Sequence, residues 1–287
     1  MGKQNDVKND IVFTPKYFAD FMCDLAEINE TSVVLDNACG AGALLSSAVE
    51  KGARGVGVEF DGDVFQELAE NMKNADVKIY CGDGLKLNEE QKNGVNRVVI
   101  NPPYSFPGKG LIFADEASKG IKEGKMIVLI PSSGGLDKKW TAEVLKNNTL
   151  RASIECADIF KGFASVNTAI YLFDMGRPHQ ADDEVIFIDF KEDGYKRTAR
   201  KGQKGKITDS GNAEALYKEV TEIIKNGKEP ELLKDKVIKE TLEEKKEWNF
   251  TNHRVIDTIP TEEDFKAVVA QYLSWKISQL MKEGQAK

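Results

Sequence analysis

Residues 32–42, SVVLDNACGAG, decide the fold. A short β-branched run ends in an acid, passes straight into a turn holding Gly40 and Gly42, and continues as an apolar helical segment. Glycines at such a turn let the backbone come close to a ligand, and the carboxyl end of the first strand is where an open α/β sheet binds one. Three residues past Gly42 stands Leu45, so the third glycine of the dinucleotide fingerprint is missing. Pyrophosphate binding, and with it NAD, is disfavoured.

Outward from this turn, β-branched runs alternate with amphipathic segments from about residue 31 to residue 176. Strands are predicted at 32–36, 55–60, 77–82, 97–100, 125–130, 152–160 and 167–175, with helices between them such as 61–72 and 110–123. This is the pattern of a Rossmann-like α/β domain, a doubly wound, mostly parallel seven-stranded sheet. Only KGFASV (161–166) separates the last two strands. That is too short for a parallel crossover, so they should form an antiparallel hairpin. A further strand is expected at 184–190. Beyond it come KEDGYKRTARKGQKGK (191–206), with seven Lys or Arg against two acids, Lys/Glu-rich helical segments, and a C-terminal helix from Thr261 to about Lys282. The domain reading is therefore an N-terminal segment (1–30), a core (31–190), and a mainly helical appendage (191–287).

Composition narrows the class. With 41% hydrophobic and 30% charged residues the chain is an ordinary globular one, and 287 residues suffice for one sizeable core and a small companion. A formal charge of −7 argues mildly against a partner held by charge alone. Cys23, Cys39, Cys81 and Cys156 form no C-x-x-C pair, which disfavours a zinc ribbon or a disulfide scaffold, and no metal site is expected. With neither a signal-peptide core nor a run of membrane-spanning length in the sequence, no membrane association is expected and a cytoplasmic location is.

The next strand ends add chemistry. Glu59 closes the second predicted strand, where a carboxylate can accept both hydroxyls of a ribose; Asp83 follows the third, where it can accept from an adenine amino group. With Asp36 and the glycines this suits an adenosine lacking a pyrophosphate, such as S-adenosylmethionine. The fourth strand delivers Asn101-Pro102-Pro103-Tyr104 to the same edge. Each proline fixes its own φ and holds the residue before it extended, so the loop projects two acceptors, the Asn101 side-chain oxygen and the Pro102 carbonyl. Both can bind the hydrogens of one amino group. An exocyclic amine becomes nucleophilic only as its nitrogen pyramidalises, and paired acceptors stabilise that geometry. Tyr104 would stack on the flat ring.

FTPKYFADFM (13–22), DNACGAGALL (36–45), VEFD (58–61), CGDGL (81–85), NPPY (101–104) and IFKGFASVNTAIYLF (159–173) stand in the order seen in adenine-N6 DNA methyltransferases. The set resembles most the modification subunits of type I restriction-modification systems, and it implies a class I S-adenosylmethionine-dependent methyltransferase. The resemblance implies that Phe13, Thr14 and Pro15 cover the methionine part of the cofactor, with Asp36, Ala38, Gly40 and Gly42 as its loop, Glu59 as ribose acid and Asp83 as adenine acid. It implies Asn101, Pro102, Pro103 and Tyr104 as the catalytic loop. Phe163, or alternatively Phe160, is the candidate for a second aromatic surface against a flipped adenine in double-stranded DNA. Lys196, Arg197 and Arg200 in the basic stretch are the candidates to face phosphate.

Two departures from the family pattern stand out. Asn37 and Ala41 replace the Pro and Ser of the usual D-P-A-C-G-S-G, and the stretch before FTPKYF is shorter than a type I subunit's helical N-terminal domain. A specificity partner is accordingly one expectation; RNA or a protein glutamine, which related N-P-P-Y enzymes methylate, is the other alternative to DNA.

Overall fold

The structure is a computed structural model describing residues 14–132, 136–161, 166–198, 206–242, 247–254 and 262–284. It divides into two units, one running to His253 and the other from Arg254.

The first unit opens with α1 (Lys16–Leu25), whose Phe18, Phe21, Met22 and Leu25 are buried. β1 (Val33–Asp36) follows, then α2 (Ala43–Glu50), β2 (Arg54–Glu59), α3 (Gly62–Asn71), β3 (Val77–Cys81) and the single turn α4 (Glu89–Lys92). β4 (Arg97–Ile100), α5 (Leu111–Ser118), β5 (Gly124–Pro131), α6 (Lys138–Leu145), β6 (Asn148–Cys156) and β7 (Thr168–Met175) complete the predicted core. These strands pair in the order β3-β2-β1-β4-β5-β7-β6. β1 to β5 run parallel, whereas β7 is antiparallel to both β5 and β6, as the short 161–166 connection required.

Side-chain alternation splits the core into two layers. Val34, Val99, Ile127, Leu129, Ile154 and Ile170 meet α1 and α2 on one face, while Leu35, Val98, Ile100, Met126, Val128 and Tyr171 meet α5 on the other. A sheet covered on both faces explains why β1, β4 and β5 are almost continuously apolar instead of alternating with polar residues. The order of connection reverses between β1 and β4, which places the ends of those strands, Asp36 and Asn101, side by side at the carboxyl edge.

Residues 191 onward differ from the expected appendage. β8 (Glu184–Phe190) lies parallel to β6, and β11 (Val237–Thr241) adds to β8, so the sheet has nine strands instead of seven. Between them come the hairpin β9 (Tyr195–Thr198) and β10 (Lys206–Asp209), then α7 (Ala213–Asn226). α7 buries Leu216, Val220 and Ile223 in the same layer as α1. The reason is compositional: Val237 and Ile238 can pair as an edge strand, and the Lys and Glu around them suit its exposed rim. With the short α8 (Phe250–His253) the first unit closes, so the domain boundary falls near residue 254 and not at 191.

The second unit holds α9 (Glu262–Gly284), close to the predicted C-terminal helix. Phe265, Val268, Val269, Tyr272, Leu273 and Trp275 are exposed along it. No helix among the described residues is long and apolar enough to cross a membrane.

Candidate active site

The glycine turn is built as its sequence requires. Gly40 and Gly42 have φ of 50° and 79°, and Gly42 caps α2 where an added Cβ would lie 2.4 Å from Leu68 Cδ1. Glu59 holds the turn from the next strand: its Oε2 accepts from the Gly40 N–H at 2.8 Å and its Oε1 from the Asp61 N–H at 2.8 Å. Each oxygen keeps a further lone pair, as a ribose acid needs.

Asp36 is fully buried, and Ala38 N–H donates to its Oδ1 at 3.1 Å. Burial, reinforced by the like charge of Glu59 and opposed by the Ala38 N–H, pushes its carboxyl up to about 7. A cation beside Asp36 would relieve that cost, and the sulfonium and α-ammonium of S-adenosylmethionine are such cations. Asp83 lies on the neighbouring loop, where the Leu85 N–H at 3.0 Å and Lys86 hold its carboxyl below the usual range despite partial burial.

Sequence reasoning missed what Asn37 does. Its Nδ2 donates to Gly84 O at 2.8 Å and to Phe113 O at 3.0 Å, joining the glycine turn to the Asp83 loop and to α5. A proline, usual at this position in the resembled family, has no such donor. The loops approach so closely that a Cβ on Gly84 would lie 1.8 Å from the Asn37 carbonyl oxygen.

The Asn101-Pro102-Pro103-Tyr104 loop sits at the end of β4, with Pro102 buried and its ring 2.6 Å from where a Cβ on Gly110 would stand. Gly110, at φ 100°, is thus a second residue the sequence reading passed over. One turn away, a Cβ on Gly108 would lie 2.7 Å from Trp140 Cβ, so Trp140 walls the same segment. The Tyr104 hydroxyl donates to Asn101 Oδ1 at 2.7 Å, and Asn101 Nδ2 donates to Thr14 Oγ1 at 3.1 Å. Pro15 caps α1, and its carbonyl accepts from the Phe18 and Ala19 N–H groups.

The comparisons with known proteins bear on this edge. Residues 3–119 match the N-6 DNA Methylase family. That segment carries the glycine turn, Glu59, Asp83 and the N-P-P-Y loop, and the match agrees with the resemblance drawn from the sequence motifs. The type II restriction enzyme and methyltransferase RM.BcgI of Heyndrickxia coagulans is 29% identical over 93% of this chain and 46% of its own length. A Vibrio vulnificus YJ016 protein assigned as the modification subunit of a type I restriction enzyme has the same fold at TM-score 0.59 and 18% identity, over 83% of this chain and 56% of that one. A Listeria monocytogenes protein assigned to the class I S-adenosylmethionine-dependent methyltransferases superposes at TM-score 0.51 and 17% identity, over 67% of this chain and 68% of that one. The fold is that of S-adenosylmethionine-dependent methyltransferases. The chain spans about half the length of RM.BcgI and of the Vibrio vulnificus protein.

Other expected site residues fare differently. Phe13, Phe163 and Arg200 lie outside the described residues. Phe160, the alternative to Phe163, is 1% exposed inside the core layer and has no face to offer a base. Lys196 is exposed on β9, as a phosphate contact requires, but Arg197 is not. Its side chain, 7% exposed, forks onto the buried Asp193 carboxylate and donates to the Tyr17 hydroxyl at 2.9 Å. The alternation of β9 turns Arg197 inward beside Tyr17 and Tyr195, while Tyr217 donates to Asp193 Oδ2 at 2.7 Å. Arg197 therefore ties β9 and α7 to α1 and is spent before any phosphate arrives. Among the described residues no cluster of His, Cys, Asp or Glu is placed to hold a metal.

Proposed function

We propose that this chain transfers a methyl group from S-adenosylmethionine to the exocyclic N6 of an adenine in DNA, the base being flipped out of the duplex. The observation that carries this reading is the Asn101 to Tyr104 loop, held at the β4 end beside the buried, cation-seeking Asp36 of β1. Ala38, Gly40, Gly42, Glu59 and Asp83 would hold the cofactor with Asp36, and Phe13, Thr14 and Pro15 would close over its methionine part. When bound, the cofactor supplies a methyl made electrophilic by a positive sulfonium.

The chain's own part is to prepare the nitrogen. Asn101 Oδ1 and the Pro102 carbonyl accept the two N–H groups, favouring the pyramidal nitrogen whose lone pair can attack. The nitrogen becomes acidic as the new bond forms, so its proton leaves late and no strong base is needed at the outset. The Tyr104 ring would back the extruded base.

A second reading, that the chain methylates only with a separate recognition partner, is favoured by Arg197. Its engagement with Asp193 and Tyr17 leaves a chain of formal charge −7 with Lys196 and Lys206 as the exposed cations of the described hairpin. The test of both is transfer of labelled methyl from the cofactor to DNA, RNA and glutamine-bearing protein. N6-methyladenine in DNA, lost in Asn101→Ala while cofactor binding persists, is the expected product. Label on RNA or glutamine overturns the DNA reading, and label on DNA only after a partner is added selects the second.

A further inference from the structure

We propose that Thr14 is a positioning residue for the Asn101 carboxamide, and not simply part of the cover over the cofactor. The inference rests on the methyl-transfer reading above. A carboxamide has two nearly isosteric ends, and only the oxygen can accept from an amino group, so the side chain must be held oxygen-forward. Asn101 is gripped at both ends: the Tyr104 hydroxyl donates to its oxygen at 2.7 Å, and Thr14 Oγ1 accepts from its nitrogen at 3.1 Å.

The two grips act in one direction. The Tyr104 phenol, partly buried against both core layers, is pushed up by desolvation and stays protonated, so it keeps a hydrogen to donate to the Asn101 oxygen. Rotating the carboxamide by half a turn would break both bonds unless the two hydroxyls turned together and exchanged donor and acceptor roles. Thr14 completes the assignment from the other side, at 7% exposure and in a fixed place. It directly precedes Pro15, whose carbonyl begins α1, and α1 is anchored by its buried aromatics and by the Tyr17–Arg197–Asp193 cluster. An acceptor 87 residues away in sequence thus holds the nitrogen end of Asn101 and leaves its oxygen to Tyr104 and the substrate.

The test is Thr14→Val, which keeps shape and removes the acceptor, beside Thr14→Ser, which keeps it; Thr14→Ala repeats the first in case the branched side chain is poorly accommodated. The expected result is a fall in kcat at saturating S-adenosylmethionine of about tenfold, the scale of one lost hydrogen bond, in Val and Ala, with recovery in Ser. Independently of activity, the Asn101 side-chain NH2 resonances, identified by their loss in Asn101→Asp, should move in Val and Ala and stay in place in Ser. Weakened cofactor binding with kcat and the NH2 pair unchanged overturns the proposal. If the wild-type chain methylates no adenine, the functional reading fails and the NH2 pair decides the proposal alone: movement in Val and Ala upholds it, and no movement overturns it.

Discussion

At the residue scale, Asp36 gives the site a pH signature. Its carboxyl is raised from 3.8 to about 7 by burial, so the folded chain holds a proton that the unfolded chain releases above about pH 4. The stability this contributes is full below pH 4 and is lost as pH rises through about 7. A cationic cofactor prefers the carboxylate, so its affinity should rise with pH up to about 7 and then level, by at most about tenfold per pH unit. Calorimetric titration across pH 5.5–8.5 checks this; in Asp36→Asn the slope should vanish. The Tyr104 hydroxyl offers a second comparison. Tyr104→Phe removes one grip on Asn101 and keeps the ring, so kcat should fall by only about three- to tenfold, whereas Tyr104→Ala, losing the stacking surface as well, should cost more in a single-turnover assay.

At the element scale the informative piece is the joint between β9, α7 and α1. A buried Arg–Asp pair broken on one side leaves an uncompensated charge, which typically costs about 3–5 kcal/mol. Arg197→Met should therefore lower the denaturant midpoint markedly, while Lys196→Met, altering an exposed cation, should leave it nearly unchanged. In DNA binding the order should invert: the salt dependence should respond to Lys196 and not to Arg197.

The same joint marks where the sequence was legible. β1, its glycine turn and the N-P-P-Y loop could be read because their chemistry lies within a few adjacent residues whose backbone preferences are strong. The β6–β7 hairpin followed from a chain-length argument that needs no tertiary knowledge. Arg197 could not be read, because its partner Tyr17 is 180 residues away and a basic run looks alike whether its side chains face water or a carboxylate. Asn37 was noticed as a departure, yet its purpose depends on carbonyls at Gly84 and Phe113 that only the folded loops bring near. β11 escaped because an edge strand rich in Lys and Glu has the composition of a solvated helix.

At the scale of the whole molecule, charge sets the expectation. A chain of formal charge −7 that has buried one of its candidate phosphate contacts should release few counterions on binding a duplex. The plot of log affinity against log salt should have a slope shallower than about −3, measurable by fluorescence anisotropy with a short labelled duplex. A slope near −8 would mean that a basic surface beyond the described hairpin carries the DNA.

The tryptophans offer a way to watch the loop at work. Trp248 is buried beside Tyr171 and Phe173, Trp275 is exposed on α9, and Trp140 lies against Gly108, just beyond the N-P-P-Y loop. With Trp248 and Trp275 replaced by Phe, the emission wavelength of Trp140 would become an optical readout of the Gly108 segment, and a stopped-flow mixing experiment would show whether that segment moves before any methyl does.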